Sequence, residues 1–202
     1  IHPSISKMKK TGKNNQISKS GEMVLNNYTI SDLTRNQIIE IIKLMNNTWP
    51  DNDNKSSEEE KVVEFYVRHP GKICHCIYND KVLIGVAESF PITIIFDKIE
   101  AEFMGIGGVC VYPKFRGKGL GASIVKSAFA RIDANQYPFC IFQTGVPRFY
   151  EKLGCKVIEN KIINSNNQED PNANPFWEEY AMIYPATFLW SSGTIDLLRP
   201  GF

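Results

Sequence analysis

The sequence predicts an α/β or α+β fold around a mixed sheet, and three observations predict it. Two segments with apolar residues at helical spacing lie before residue 70. From about residue 72 the apolar period shortens to two, the period of a half-buried strand. Beyond about residue 112, helix-like and strand-like segments alternate, the pattern of a layered domain with helices packed on a sheet. At 202 residues the chain suits one domain with a sizeable core.

Residues 1 to 24 are polar, lysine-rich and aperiodic, so a disordered tail is expected there, and the opening Ile in place of Met points to a processed or partly foreign segment. The domain is expected over 25 to 202. Thr34 with Gln37 is a capping-box pair, and Ile38, Ile41, Ile42 and Met45 then share one face of a helix near 34 to 47. Ser57 with Glu60 repeats the signal ahead of Val62, Phe65 and Tyr66, with glutamates in the first turn where the helix dipole favours negative charge. "KICHCIY" and "KVLIGVAESF" read as strands joined by a hairpin at Asn79-Asp80. "EAEFMGIGGVCVY" reads as a further strand, "PFCIFQT" and "CKVIEN" as strands that follow helices, and "EEYAMIY" as the last strand. The polar stretch Asn164 to Pro175 is long enough to be a functional loop, and the apolar C-terminal "LWSSGTIDLLRPGF" is expected to pack on the domain.

Lys and Arg (23) nearly balance Asp and Glu (22), which favours neither nucleic acid nor an anionic membrane as a partner. No apolar run reaches the roughly 18 residues of a bilayer span and no signal-like stretch opens the chain. A soluble, cytoplasmic monomer or homodimer is expected. Five cysteines, an odd number set mostly in alternating apolar runs, fit reduced thiols better than a disulfide framework. The N-x-S/T matches at Asn27, Asn46 and Asn54 are incidental without a secretory signal. Cys74 and Cys76 flank His75, but tetrahedral zinc sites use C-x2-C turns with a distant second pair, so no metal site is assigned.

The stretch "VCVYPKFRGKGLGAS", Val109 to Ser123, sets one arginine, two lysines and three glycines between a strand and a helix, with no acidic residue. Three phosphate-binding readings compete for it. A Walker loop needs G-x4-G-K-[ST], which is absent. The dinucleotide fingerprint G-x-G-x-x-[GA] is formally met by Gly117, Gly119 and Ala122, yet the next strand ends in Gln143 and Thr144 rather than an acidic residue. The third pattern is R-x-x-G-x-[GA], met by Arg116, Gly119 and Gly121 after "VCVYP".

By that third pattern, and by "GVPRFYEKLGCKV" about thirty residues later, the sequence resembles the GNAT superfamily of acetyltransferases over roughly residues 25 to 184. The resemblance implies the GNAT-like acyl-CoA N-acyltransferase fold, a mixed and mostly antiparallel central sheet flanked by helices, with acetyl-CoA as cofactor. It places coenzyme A on Val109, Cys110, Val111, Arg116, Gly117, Lys118, Gly119, Leu120, Gly121, Ala122 and Phe149. The physics agrees, because glycines let successive N–H groups face an anion and the following helix adds its positive end. Gly107-Gly108 suits a bulge, and the resemblance then pairs Val109 and Val111 with the pantetheine arm and makes the Val109 N–H an oxyanion donor. "TGVPRFYEKLG" is also similar to a segment of the aminoglycoside 2′-N-acetyltransferases.

Acetyl transfer to an amine needs the amine neutral, and at pKa about 10.4 only about one molecule in two thousand is neutral at pH 7, a deficit of roughly 4 to 5 kcal/mol. Many relatives carry a glutamate on the fourth strand, where this sequence has Gly105, Gly107 and Gly108. Glu88 on the preceding strand is the substitute base, acting through water, with Glu102 and His75 behind it. The resemblance assigns Tyr150 the proton for the departing thiolate. Trp49, Trp177 and Phe202 are the acceptor-side aromatics, and a carboxylate ending the chain at Phe202 would attract or deprotonate an amine. Acidic "QED", "WEE" and Asp196 would suit a polycationic acceptor. The expected function is transfer of the acetyl group of acetyl-CoA to a primary amine of a small molecule, directly in a ternary complex. The alternatives are a non-catalytic CoA-binding module and a protein or peptide N-acetyltransferase, for which a shallow groove would replace a closed pocket around Trp49, Trp177 and Trp190.

Overall fold

The computed structural model describes residues 21–50 and 55–202. Most of the expected tail, residues 1–20, lies outside the described residues, and Met23 and Val24 already belong to the first strand. In chain order the elements are β1 (Met23–Thr29), α1 (Arg35–Thr48), α2 (Glu58–Val67), β2 (Ile73–Asn79), β3 (Val82–Phe96), β4 (Ile99–Val111), α3 (Leu120–Asp133), β5 (Cys140–Thr144), α4 (Pro147–Glu151), β6 (Lys156–Ile158), β7 (Ile162–Ile163), β8 (Tyr180–Tyr184) and β9 (Ile195–Asp196). The sheet runs β1-β2-β3-β4-β5-β8-β6, with β9 pairing β3 and β7. Only the β4/β5 and β7/β9 pairs are parallel. The sheet is therefore mixed and mostly antiparallel, as expected.

Both expected capping boxes form. Thr34 Oγ accepts from the Gln37 N–H while the Thr34 N–H donates to Gln37 Oε1, and Ser57 and Glu60 repeat the exchange. "EEYAMIY" supplies β8, but β9 follows it and is the last strand. β1, β7 and β9 were not expected. The first hides in a polar-looking stretch, and the other two are two-residue pairings that tertiary contact creates rather than local period.

Val86, Glu88, Phe90, Ile92 and Ile94 alternate along one face of β3. At one end this face is covered by α1 and α2, which pack Ile38, Ile41, Leu44 and Phe65 against Cys74, Cys76 and Val86. At the other end it is covered by β7, β9 and the chain up to Phe202. Glu88 lies at the seam between the two covers. The opposite face of the sheet takes α3, through Val125, Ala128 and Phe129 against Met104, Ile106 and Phe142. Cys74 and Cys76 face α1, whereas His75 between them faces α3 and bonds Asn27, Ser127 and Ser89, so the trio does not converge. All five cysteines are buried free thiols.

Two irregularities of β4 position the site. Gly107 pairs with Glu88 and Cys110 with Val86, so Gly108 and Val109 together oppose the single residue Ala87. This is a bulge with glycine in the left-handed region, Gly108 having φ +60°. A Cβ at Gly108 would also lie 2.5 Å from Met45 Cε. The extra residue reverses the alternation, leaving Cys110 on the α1 face and Val111 on the α3 face. The second irregularity is on the other edge, where β4 pairs with β5 only at Met104 and Gly105. From Ile106 onward the two strands diverge.

Candidate active site

A cavity of about 570 Å³ opens where β4 and β5 part. Val109, Cys110 and Val111 form one wall, Arg116, Gly117 and Gly119 to Ala122 another, and Val146, Phe149 and Tyr150 the third. The cavity thus brings together ten of the eleven residues expected around coenzyme A, and adds Tyr150. Lys118 is exposed at the loop tip and does not line it.

The glycine-loop wall is made largely of backbone. Gly119 caps α3 with φ +79° and Gly117 has φ +75°, conformations that a side chain disfavours, and a Cβ on either would point into open space. Among the described residues, the N–H groups of Gly117 through Ala122 donate to no protein acceptor. Orphan donors at the positive end of a 14-residue helix form a site for a doubly charged diphosphate, so these residues fit the cofactor that the glycine pattern implies. Arg116 has a part that its charge alone did not suggest. Its Nε donates to Val111 O at 2.8 Å, while the Tyr112 N–H reaches back to Ile84 O, so Arg116 ties the loop to the unpaired edge of β4.

Pro147 opens α4 and Gly154, with φ +86°, ends the turn after it. Tyr150 is the more buried of the adjacent pair, its ring against Phe142 at 4.7 Å and edge-on to Phe149 at 4.8 Å, and both rings line the cavity. Among the described residues nothing hydrogen-bonds the Tyr150 hydroxyl. Burial raises its pKa above the ordinary tyrosine value, so the phenol keeps its proton throughout the physiological range. Among the described residues no Asp, Glu or His lines this cavity.

Glu88 is 1% exposed and sits behind β4, opposite Gly107. Its Oε2 accepts from Arg68 Nη2 at 3.1 Å, and its Oε1 faces the fully buried Lys72 Nζ at 3.1 Å in an ion pair. Burial pulls the Lys72 ammonium down from its ordinary value while Glu88 pulls it up. Lys72 is also held by Phe65, through the carbonyl and the ring face 3.5 Å away. Held in this way, the carboxylate does not line the cavity. Gly107 lies opposite it, where a Cβ would meet Phe90 only at an ordinary contact distance of 3.7 Å, whereas at Gly105, which pairs with Phe90, glycine has a steric cause. A Cβ on Gly105 would come within 2.5 Å of Phe90 and 3.0 Å of Phe202, so two aromatic rings fill the space a strand-four glutamate would need.

The acceptor-side aromatics are dispersed. Trp49 ends α1 at 51% exposure and Trp177 is 69% exposed, and neither lines the cavity between β4 and β5. Trp190 is stacked on Phe96, and among the described residues no ring contact joins the three tryptophans. Phe202 does lie beside the strand. Its ring is edge-on to Phe90 at 5.2 Å, and its carbonyl accepts from Gln143 Nε2 at 2.8 Å. Asp196 accepts from the Ser165 and Leu198 N–H groups, and Glu169, Asp170, Glu178 and Glu179 are exposed. Sequence reasoning missed His69 and Arg199. His69 stacks on Phe90 at 3.7 Å between ring centres, and Arg199 Nη2 donates to its Nδ1 at 3.1 Å. No motif marks either residue.

The model of the GNAT acetyltransferase domain matches residues 29–158, about two thirds of the chain. Comparison with curated protein sequences gives no significant match. Among solved structures, Escherichia coli ElaA superposes with TM-score 0.54 at 13% identity, covering 80% of this chain and 99% of its own. A GNAT-family acetyltransferase from Staphylococcus aureus gives 0.53 at 14% identity, covering 82% and 100%. A GCN5-related N-acetyltransferase from Kribbella flavida gives 0.53 at 15% identity over 68% of this chain, which spans only 34% of that protein's length. These likenesses establish the fold, and no described helix is long and apolar enough to cross a membrane. With the family match laid over the parted strands and the glycine loop, the chain belongs to the GNAT acetyltransferase family and carries that family's acetyl-CoA-dependent transferase domain.

Proposed function

We propose that the chain moves the acetyl group of acetyl-CoA to a primary amine of a small molecule, by direct transfer in a ternary complex in the cytoplasm. The observation that supports it most is the run of unpaired backbone N–H groups from Gly117 to Ala122 at the mouth of the cavity. Coenzyme A would place its diphosphate on these amides and its pantetheine arm along Val109 to Val111, bringing a thioester to the bulge. The bound cofactor supplies an activated acetyl carbonyl. The chain supplies the surroundings: the Val109 N–H for the developing oxyanion, the Tyr150 hydroxyl as donor to the departing sulfur, and a water path toward Glu88 for the amine proton. The buried thiols stay out of the chemistry, because burial raises Cys110 to about 12 and holds it protonated.

The test follows free thiol released from acetyl-CoA with pooled amines, polyamines, aminoglycosides and peptides. Release with one class and not with buffer supports transfer. One observation favours a second reading, a CoA-binding module without turnover: among the described residues the cavity wall holds no carboxylate or imidazole. Tight acetyl-CoA binding with no thiol release across the whole panel would select it.

A further inference from the structure

The region behind β4 has a surplus of positive charge. Arg68 and Lys72 flank Glu88, which is the one carboxylate that ion-pairs with either among the described residues, and Arg199 lies over the rings of Phe90 and Phe202. Among the described residues Arg199 has no acidic partner. Its guanidinium lies 6.0 Å from the Phe90 ring and 5.7 Å from the Phe202 ring, and Nη2 donates to His69. Its Nε is closed off from solvent with no acceptor, and Nη1 makes no hydrogen bond among the described residues. Asp196, three residues earlier, turns to backbone N–H groups instead. An unpaired, partly buried guanidinium is costly to hold, and Nη1 is the donor left open to a carboxylate oxygen.

Arg199 lines a second cavity of about 490 Å³, whose other polar walls are the neutral carboxamides of Asn164, Asn166, Asn167 and Gln168. Among the described residues it is the single charged one there, so the cavity suits one negative charge. The fully buried Phe90 stands between Arg199 and the bulge, its ring 6.0 Å from the guanidinium and its Cε1 3.7 Å from where a Cβ on Gly107 would lie. Arg199 therefore stands one aromatic ring away from the strand position where the thioester is proposed to end.

We infer that Arg199 and the carboxamide-lined cavity bind a carboxylate carried by the acceptor, so that the acceptor class is amino acids or similar small amino-carboxylates rather than polycationic amines. His69 is a positioning residue here. With Nδ1 accepting from Arg199 it is neutral, and its stacking on Phe90 holds the guanidinium toward the cavity. This rests on the acetyl-transfer reading above.

The test uses the full chain saturated with CoA and titrates N-acetyl amino acids against the matching N-acetyl amino acid amides, which lack only the negative charge. At least one carboxylate is expected to bind about tenfold or more tighter than its amide. That preference should shrink from 50 to 500 mM KCl, and Arg199→Gln should erase it without changing the Kd for CoA. Equal or undetectable binding of carboxylate and amide, or a preference that survives Arg199→Gln, overturns the inference. CoA that does not bind at all is a separate result: it removes the acetyl-transfer reading and this inference with it. The salt series on the unaltered chain decides the question even if the variant does not fold.

Discussion

The two sides of β4 are built from different materials. On the β5 side the wall is backbone: glycine φ angles, orphan amides and a helix end, all open to solvent. On the β3 side it is side chain: a carboxylate between two cations, an imidazole on a phenyl ring and an unpaired guanidinium. A backbone site tolerates almost any neighbouring side chain but no Cβ at its glycines, whereas a side-chain site depends on every member of its charge balance. The first should therefore fail in binding and the second in stability or selectivity.

The largest effect is expected on the β3 side. Glu88→Leu leaves Lys72 buried with no counter-charge, and about 3 to 5 kcal/mol of stability should be lost in urea unfolding. A loss under about 1 kcal/mol would mean that the ion pair holds nothing together. On the β5 side, Gly119→Val forces a branched side chain into φ +79° and should weaken acetyl-CoA binding by more than about 30-fold, with the unfolding midpoint changed little by comparison. Unchanged affinity there would remove the loop from the cofactor site. Tyr150→Phe should lower kcat by about 100-fold while Kd for acetyl-CoA holds, a split that a merely packing tyrosine would not produce.

A smaller effect sharpens the contrast through pH. Burial and the nearby cations hold His69 at about 3, and burial and Arg131 hold His75 at about 4, both below the ordinary value of 6.5. Below pH 6.5 the unfolded chain takes up protons that the folded chain refuses, so stability is full above that pH and falls as pH drops toward 3 to 4. The slope approaches about 1.4 kcal/mol per pH unit for each histidine. Acid titration of the unfolding free energy checks this, and His69→Gln should remove about half of the slope. A flat profile would place both rings in contact with water.

The same contrast explains what could be read from the sequence. Backbone sites leave a spelling: Arg116, Gly119 and Gly121 sit at fixed offsets because helix geometry fixes them, and Gly107-Gly108 marks the bulge for the same reason. The helices from Thr34 and Ser57 were legible through their capping boxes. The β3 side left none, since His69, Lys72, Glu88 and Arg199 come from the α2–β2 connection, β3 and the C-terminal segment and meet only through packing. Glu88 was legible as a carboxylate on the right strand, but the two cations facing it were not. β7 and β9 escaped notice because two-residue strands have no period.

The central claim is that backbone amides from Gly117 to Ala122 take the diphosphate, and amide-resolved NMR tests it most directly. Adding CoA to the ¹⁵N-labelled chain should move the Gly117, Gly119, Leu120 and Gly121 N–H resonances downfield more than any others. Saturable CoA binding that leaves those four resonances in place, with the largest shifts elsewhere on the sheet, would contradict it.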